Sequence, residues 1–179
     1  MNAWIRTNEA RSLRIAEINR IDGLHEVLSG LPEFTYSDFN PEGGTENVRS
    51  EDLTRLTYPD AAFDLVLTSE SLEHVPDLGR ALFEIHRVLA PGGRHIFTVP
   101  LLPGIPHTFP RSVLHPDGSI RHLKPEIRHP GGDVGYPVFT EFGADLDEIL
   151  TKAGFEVEMA FGPVRDDDLG QVWICRKVP

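Results

Sequence analysis

Cysteine is almost missing from this chain. Cys175 is the only one in 179 residues, so no intrachain disulfide can form. That suits a reducing compartment, and the expected location is cytoplasmic. Cys175 lies in the apolar run 172–175, where a buried strand thiol is expected. Long hydrophobic runs are missing as well: nothing approaches the ~18 apolar residues that cross a bilayer, so no membrane span is expected. The start MNAWIRTNEAR has no apolar centre and does not read as a secretory signal. Positive charge is scarce. Lys and Arg number 17 against 28 Asp and Glu, a formal net charge of −11. This excludes general affinity for nucleic-acid phosphates or anionic membrane surfaces. Repeats, low-complexity stretches and a dividing linker are also lacking. With 40% hydrophobic and 25% charged residues, the chain reads as one globular domain over 1–179.

The elements follow from periodicity. After about a dozen polar, weakly helical residues, 13–18 is strand-like. A short helix is expected over 22–31, with Leu24, Val27, Leu28 and Leu31 at helical spacing. A second strand is expected over 34–39, and 42–46 with its paired glycines is a loop. The run Phe63-Asp64-Leu65-Val66-Leu67-Thr68 has an unbroken apolar centre, as in a parallel strand covered on both faces. Asp77 offers a cap for a helix whose Leu78, Ala81, Leu82, Ile85, Val88 and Leu89 form one buried stripe. Pro91-Gly92-Gly93 is the expected stop, and 94–99 returns as a strand. Strand, helix and strand in that order form a crossover unit, hence α/β.

Residues 101–138 break this rhythm with Pro, Gly and His and no sustained period, the mark of a lid or binding loop. Thr140 is then expected to cap a helix carrying Phe142, Leu146, Ile149, Leu150 and Ala153, with Gly154 as its end. Two final strands, 155–161 and 171–178, have no helix between them and suggest an antiparallel pair.

FDLVLTSESLEHVPD followed by ALFEIHRVLAPGGRHIFTVP resembles the second half of a class I S-adenosylmethionine-dependent methyltransferase, more narrowly the type 11 family. The features that coincide are a strand with an acidic entry, a Leu-Glu-His-Val turn, a helix ending Arg-Val-Leu, and Pro-Gly-Gly before the next strand. The resemblance implies a Rossmann-like, mostly parallel seven-stranded sheet, helices on both faces and a C-terminal antiparallel hairpin. It implies S-adenosylmethionine as cofactor and a small-molecule, lipid or sugar methyl acceptor. Relatives carry an extra helical segment ahead of the first strand, which leaves a longer parent chain open.

The same resemblance places the site. Glu17 would end the first strand, and Asp38, at the tip of the second, would hold the ribose hydroxyls. Asp52 would accept from the adenine amine while Leu53 packs on the ring. Ser69 and Glu70 would line the pocket after the fourth strand, and His74 would stand near the methyl acceptor as the candidate catalytic residue. All lie at strand ends, where open α/β sheets bind ligands.

Glycine is deficient where the family's acidic-x-Gly-x-Gly-x-Gly motif needs it. Laid on Glu17, the glycines fall at 19, 21 and 23, and Gly23 alone is present. Asn19 tolerates left-handed backbone, whereas a β-branched residue such as Ile21 is strained there. The loop therefore needs another shape, and Arg20 is a candidate partner for the ligand's carboxylate. The rival expectation is a degenerate module that keeps the fold without the cofactor. His107, His115, His122 and His129 lie in the irregular segment, but without Cys or a tight His pair no metal site is expected. His86 and His95 read as solvent-side residues, and 166–168 as a solvated acidic turn. Phe109, Tyr136 and Phe139 either line a substrate cavity or pack the lid.

Overall fold

The apolar run ending at Glu17 forms β1 (Ile15–Ile18), all four residues of which are buried. The computed structural model describes residues 12–178 except 41–43, 46, 103, 131–133 and 163–169. The acidic turn at 166–168 thus lies outside the described residues. Parallel to β1 run β2 (Phe34–Asp38) on one side and β4 (Phe63–Ser69) on the other. The short β3 (Arg49–Ser50) extends β2, and β5 (Leu89–Thr98) extends β4, again parallel. The C-terminal β12 (Phe155–Phe161) and β13 (Gln171–Lys177) pair antiparallel, and β13 pairs antiparallel with β5. The order is β3-β2-β1-β4-β5-β13-β12. Strand order reverses at β1, so the crevice beyond its carboxyl end is where a ligand is expected.

Alternation along β4 loads two cores. Val66 joins the larger cluster with Ile18, Ile85 and Leu150, while Leu65 and Leu67 join Ile15 and Leu28. Adjacent strand residues face opposite ways, so both faces of the sheet are covered. Arg14 pins the two central strands at their entry, since its guanidinium and backbone N–H donate to the Asp64 carboxylate at 2.7–3.1 Å. That pairing holds the Asp64 carboxyl below its ordinary value.

Helix α1 is shorter than its periodicity suggests, covering only His25–Leu28. Gly23 takes φ +76, which interrupts right-handed helix before residue 24. Helix α2 (Leu78–Val88) follows its pattern: Asp77 accepts from the Arg80 N–H at 2.9 Å, and Ala81, Leu82, Ile85 and Val88 are buried. Each large aliphatic chain there contributes about 1.5–3 kcal/mol. Truncating Ile85 to Ala would cost about 2–5 kcal/mol. The helix ends at Val88, ahead of the Pro-Gly-Gly, which instead runs inside β5. A Cβ at Gly93 would lie 2.9 Å from the Ala90 carbonyl oxygen, so the glycine lets β5 pass close to its own start.

The segment expected to be irregular is built from small antiparallel pairs. β6 (Phe109–Pro110) pairs with β11 (Thr140–Glu141), β7 (Ser112–Leu114) with β8 (Ile120–His122), and β9 (Arg128–His129) with β10 (Tyr136–Pro137). Two-residue strands have too little sequence to show a period. Thr140 is therefore a strand residue, not a helix cap, and α3 covers Leu146–Lys152. Asp145 precedes α3 but accepts from the Thr108 N–H at 2.7 Å, joining helix to segment. His95 and His86 also depart from expectation. His95 is fully buried, and His86 packs edge-on against Phe155 at 5.2 Å. No described helix is long and apolar enough to cross a membrane.

Candidate active site at the strand tips

A cleft of about 1170 Å³ opens beyond the carboxyl ends of β1, β2 and β4. Asn19 organises its inner corner. The residue has φ +65, the left-handed conformation anticipated for it. Its side-chain amide donates to the Ser71 hydroxyl at 3.0 Å, and its carbonyl oxygen accepts from the Phe39 N–H at 3.1 Å. One side chain thus ties the tips of β1, β2 and β4 together. Ile21 is not among the positive-φ residues, and its side chain packs with Leu24 and Leu28 instead of filling the cleft.

Glu17 is not a wall of this cleft, contrary to expectation. It is fully buried; one carboxylate oxygen accepts from the Ile21 N–H at 3.0 Å and the other meets His25 Nδ1 at 2.5 Å. Its carboxylate does the work of bracing the turn where glycines are missing, because two engaged oxygens fix the residues that follow. Gly23 is likewise a turn residue off the cleft wall, retained for its φ of +76. Arg20 does line the cleft, yet its guanidinium already pairs with Glu26 at 2.5 Å and Asp22 at 3.2 Å.

Asp38 and Asp52 both face the cleft. Asp38 accepts from the Phe39 N–H at 2.8 Å and the Tyr36 hydroxyl at 3.1 Å, which hold its carboxylate at the β2 tip. Next to that carboxylate the Tyr36 hydroxyl is pushed up to about 12, mainly by burial. One Asp52 oxygen accepts from the N–H and hydroxyl of Thr54 at 2.8 and 2.7 Å. Beside it Leu53 is buried and supplies apolar wall. At the β4 tip, Ser69 shares a hydrogen bond with Thr98 at 2.8 Å, and Glu70 takes φ +47. A non-glycine residue held in that region stores strain of about 1–3 kcal/mol, which concentrates at functional sites.

His74 stands where the short β9–β10 hairpin meets the cleft. Its Nδ1 lies 2.9 Å from the Pro137 carbonyl oxygen. A carbonyl only accepts, so Nδ1 carries the hydrogen and the neutral ring keeps Nε2 as a bare acceptor. Burial pushes this imidazole below its ordinary value, and neighbouring His129 adds to that. Beside it, in a single 3-10 turn (Leu72–His74), lies Glu73, a residue passed over in the sequence reading. Glu73 is fully buried, and neither carboxylate oxygen has a hydrogen-bond partner among the described residues. Burial pushes its carboxyl up to about 8, its own backbone N–H giving partial relief. Of the four histidines of the irregular segment, His129 alone approaches it, with Nδ1 at 3.5 Å. His107 pairs with Asp145 and His122 with Ser112. Phe109 and Tyr136 line the cleft, while Phe139 is core.

The residues fit an adenosine sulfonium ligand. Two carboxylates offer acceptors for hydroxyls and an amine, and charged acceptors strengthen such bonds. The bare ring of Phe39, 50% exposed, and Leu53 supply the apolar surface that a base needs. The cleft's volume admits a cofactor and an acceptor together.

Comparison with known proteins bears on the fold. Residues 31–97 match the family model described as "Methyltransferase domain". The chain is 51% identical over 43 residues to the 27-O-demethylrifamycin SV methyltransferase of Amycolatopsis mediterranei, covering 24% of this chain and 16% of that protein. It is 36% identical over 110 residues to the ubiquinone/menaquinone biosynthesis C-methyltransferase UbiE of Hydrogenovibrio crunogenus, covering 53% of this chain and 43% of that protein. The chain thus spans less than half the length of these curated relatives. In fold it is similar to the 1,6-didemethyltoxoflavin-N1-methyltransferase of Burkholderia thailandensis, crystallised with bound 1,6-didemethyltoxoflavin and S-adenosylhomocysteine. That similarity has a TM-score of 0.62 and 23% identity over 99% of this chain and 76% of the other. Residues 31–97 thus match the methyltransferase domain, and the sheet that carries them has the fold of S-adenosylmethionine-dependent methyltransferases.

Proposed function

We propose that the chain methylates a small-molecule, lipid or sugar acceptor in the strand-tip cleft. The observation that carries this reading is the convergence of Asp38, Asp52 and Leu53 on one cleft whose corner Asn19 keeps open. Bound there, S-adenosylmethionine supplies a methyl group already activated by a sulfonium. The chain's own task is alignment, since holding reactants in line recovers much of a barrier. Asp38 accepts from the ribose hydroxyls, Asp52 accepts from the adenine amine, and Leu53 packs on the base. Ser69 and Glu70 floor the pocket. Arg20 offers its guanidinium to the ligand carboxylate by exchanging one of its two acidic partners.

The 101–138 segment acts as the lid. Its Phe109 and Tyr136 lie on the acceptor side of the cleft, and its Pro137 carbonyl holds His74. A lid of this kind excludes water and commits the acceptor. His74 faces that space with Nε2 free, suited to take a proton from an acceptor that must lose one. The relatives matched above are named for small-molecule chemistry, which favours the same acceptor class here.

Isothermal titration with S-adenosylhomocysteine tests the reading. One-to-one binding is expected, and at ~100 times the dissociation constant the ligand adds about 2.7 kcal/mol of stability. Absence of both heat and thermal stabilisation at millimolar ligand would leave only a scaffold.

A further inference from the structure

Glu73 poses a question that methyl transfer does not answer. A carboxylate with no exposed surface, no side-chain donor among the described residues and only partial relief from its own backbone N–H is one of the costlier things a protein can bury. Two imidazole nitrogens stand beside it. His74 Nε2 lies 3.7 Å from Glu73 Oε1, and that nitrogen is bare because Nδ1 is committed to the Pro137 carbonyl oxygen. His129 Nδ1 lies 3.5 Å from the same oxygen. The rings of His74 and His129 meet edge to face at 5.0 Å. All three ligand atoms lie within 4.8 Å of one another.

We propose that Glu73, His74 and His129 hold a divalent transition cation of the zinc class, with a free coordination position facing the acceptor side of the cleft. Three arguments support this. The first is spacing: tetrahedral ligands at about 2.0–2.2 Å from a metal stand roughly 3.4 Å apart. The 3.5 and 3.7 Å separations are close to that value. The second is the ligand set. Two imidazoles and one carboxylate leave a position for water or substrate, the pattern of catalytic rather than structural sites. The third is orientation. A ligating histidine commonly donates its other ring N–H to a backbone carbonyl, and Pro137 plays that part for His74.

Elsewhere the cluster is hemmed by protein: Phe139 donates its N–H to the Glu73 carbonyl at 2.8 Å, and Tyr136 packs beside His74 at 5.8 Å. His74, His129 and Tyr136 all line the cleft, so the open position meets the cavity and not bulk solvent. Nitrogen and oxygen ligands without thiolate suit zinc, cobalt or iron(II) better than copper(I). The site would select an acceptor that presents a hydroxyl or phenol oxygen. Bound at the cation, that oxygen gives its proton to water more readily, as water itself does on zinc. This acceptor class rests on the methyltransferase reading, with the cation then replacing His74 as the activator of the oxygen because Nε2 cannot hold a metal and take a proton at once; the cation site does not rest on it.

The test uses the 179-residue chain treated with chelator and desalted. Titration with Co²⁺, followed by visible absorption, and with Zn²⁺, followed by calorimetry, is expected to give one site per chain with ligand-field bands of low coordination number. Glu73→Gln and His129→Ala should each weaken binding at least ~tenfold, as loss of a ligand does. His122→Ala should leave it unchanged. His129 is partly exposed, so His129→Ala reports even where Glu73→Gln folds poorly. Absence of cobalt bands, or equal affinity in parent, Glu73→Gln and His129→Ala, overturns the site. S-adenosylhomocysteine titrated into the same samples separates the two proposals: cobalt bands without ligand heat retain the cation and discard the methyl transfer.

Discussion

The side chain of Asn19 donates to the hydroxyl of Ser71 across 3.0 Å while accepting from the backbone of Phe39 at 3.1 Å. The assignment of its amide is forced, because the Ser71 hydroxyl spends its own hydrogen on the Ser69 carbonyl at 2.8 Å. A residue in left-handed conformation thereby does with hydrogen bonds what a glycine-rich loop does with small size. It brings three strand tips to a common corner and leaves the space above them clear.

Asn19→Ala removes both bonds and places an alanine at φ +65. It should cost about 1–3 kcal/mol of stability. It should also weaken S-adenosylhomocysteine binding about tenfold or more. Asn19→Gly keeps the backbone at ease and should recover stability better than affinity. Urea melts and calorimetry on both variants check this; equal losses in the two would assign the corner to backbone alone.

Asp38→Asn and Asp38→Ala separate charge from shape at the proposed ribose position. Hydrogen bonds to a charged group are worth about 1.5–3 kcal/mol, so affinity should fall roughly 10- to 100-fold in either. Adenine alone, which has no ribose, should bind parent and variants alike. An Asp38→Ala protein with parental affinity for S-adenosylhomocysteine would place the ribose elsewhere.

Stability should fall in mild acid because of His95. The ring is fully buried, its Nε2 meets the Thr68 hydroxyl at 3.0 Å, and burial pushes it down to about 3. Unfolded, the same imidazole titrates near 6.5. Between those values the unfolded chain holds a proton that the folded chain refuses. Stability is therefore whole above about 6.5 and is lost as pH falls toward 3. Between pH 7 and 5.5 the parent should lose about 1 kcal/mol more than His95→Gln, measured by urea unfolding at each pH. Parallel losses in both would assign the acid sensitivity to other groups.

Arg87 clamps α2 to the chain before β4. Its guanidinium donates to Glu84 at 2.6 Å and to the carbonyls of Leu56 and Tyr58 at 2.9 and 2.8 Å. Glu84 is 3% exposed, so removing the cation strands a buried carboxylate with Arg80 as its remaining partner. Arg87→Ala should cost about 2–4 kcal/mol, lowering Tm by roughly 5–15 °C. Arg87→Lys should rescue only in part, since one ammonium cannot reach all these acceptors. Scanning calorimetry reads both, and ligand binding should persist in whichever variant folds.

Longer elements were legible because their pattern is internal. The alternating faces of 63–69, the stripe of 78–88 and the terminal strand pair each needed only their own residues. The helix over 22–31 shrank to four residues because Gly23 takes φ +76 while Glu17, an earlier residue, holds Ile21 and His25 on either side of it. The segment 101–138 hid its hairpins because each strand is two or three residues long. Among site residues, Asp38 and Asp52 were located by the family resemblance, and both face the cleft. Glu73 was not: nothing in the string Leu-Glu-His-Val says that the glutamate turns inward while the histidine turns to the cleft.

By itself the sequence determined the order of the longer strands and helices and the left-handed preference of Asn19. These depend on local spacing and on the backbone preference of single residues. Tertiary structure alone decided that Glu17 braces a turn, that His95 is buried, and that His129 reaches Glu73. Burial and convergence arise when distant segments fold back on one another, and which side chains then lose their water is a property of that packing.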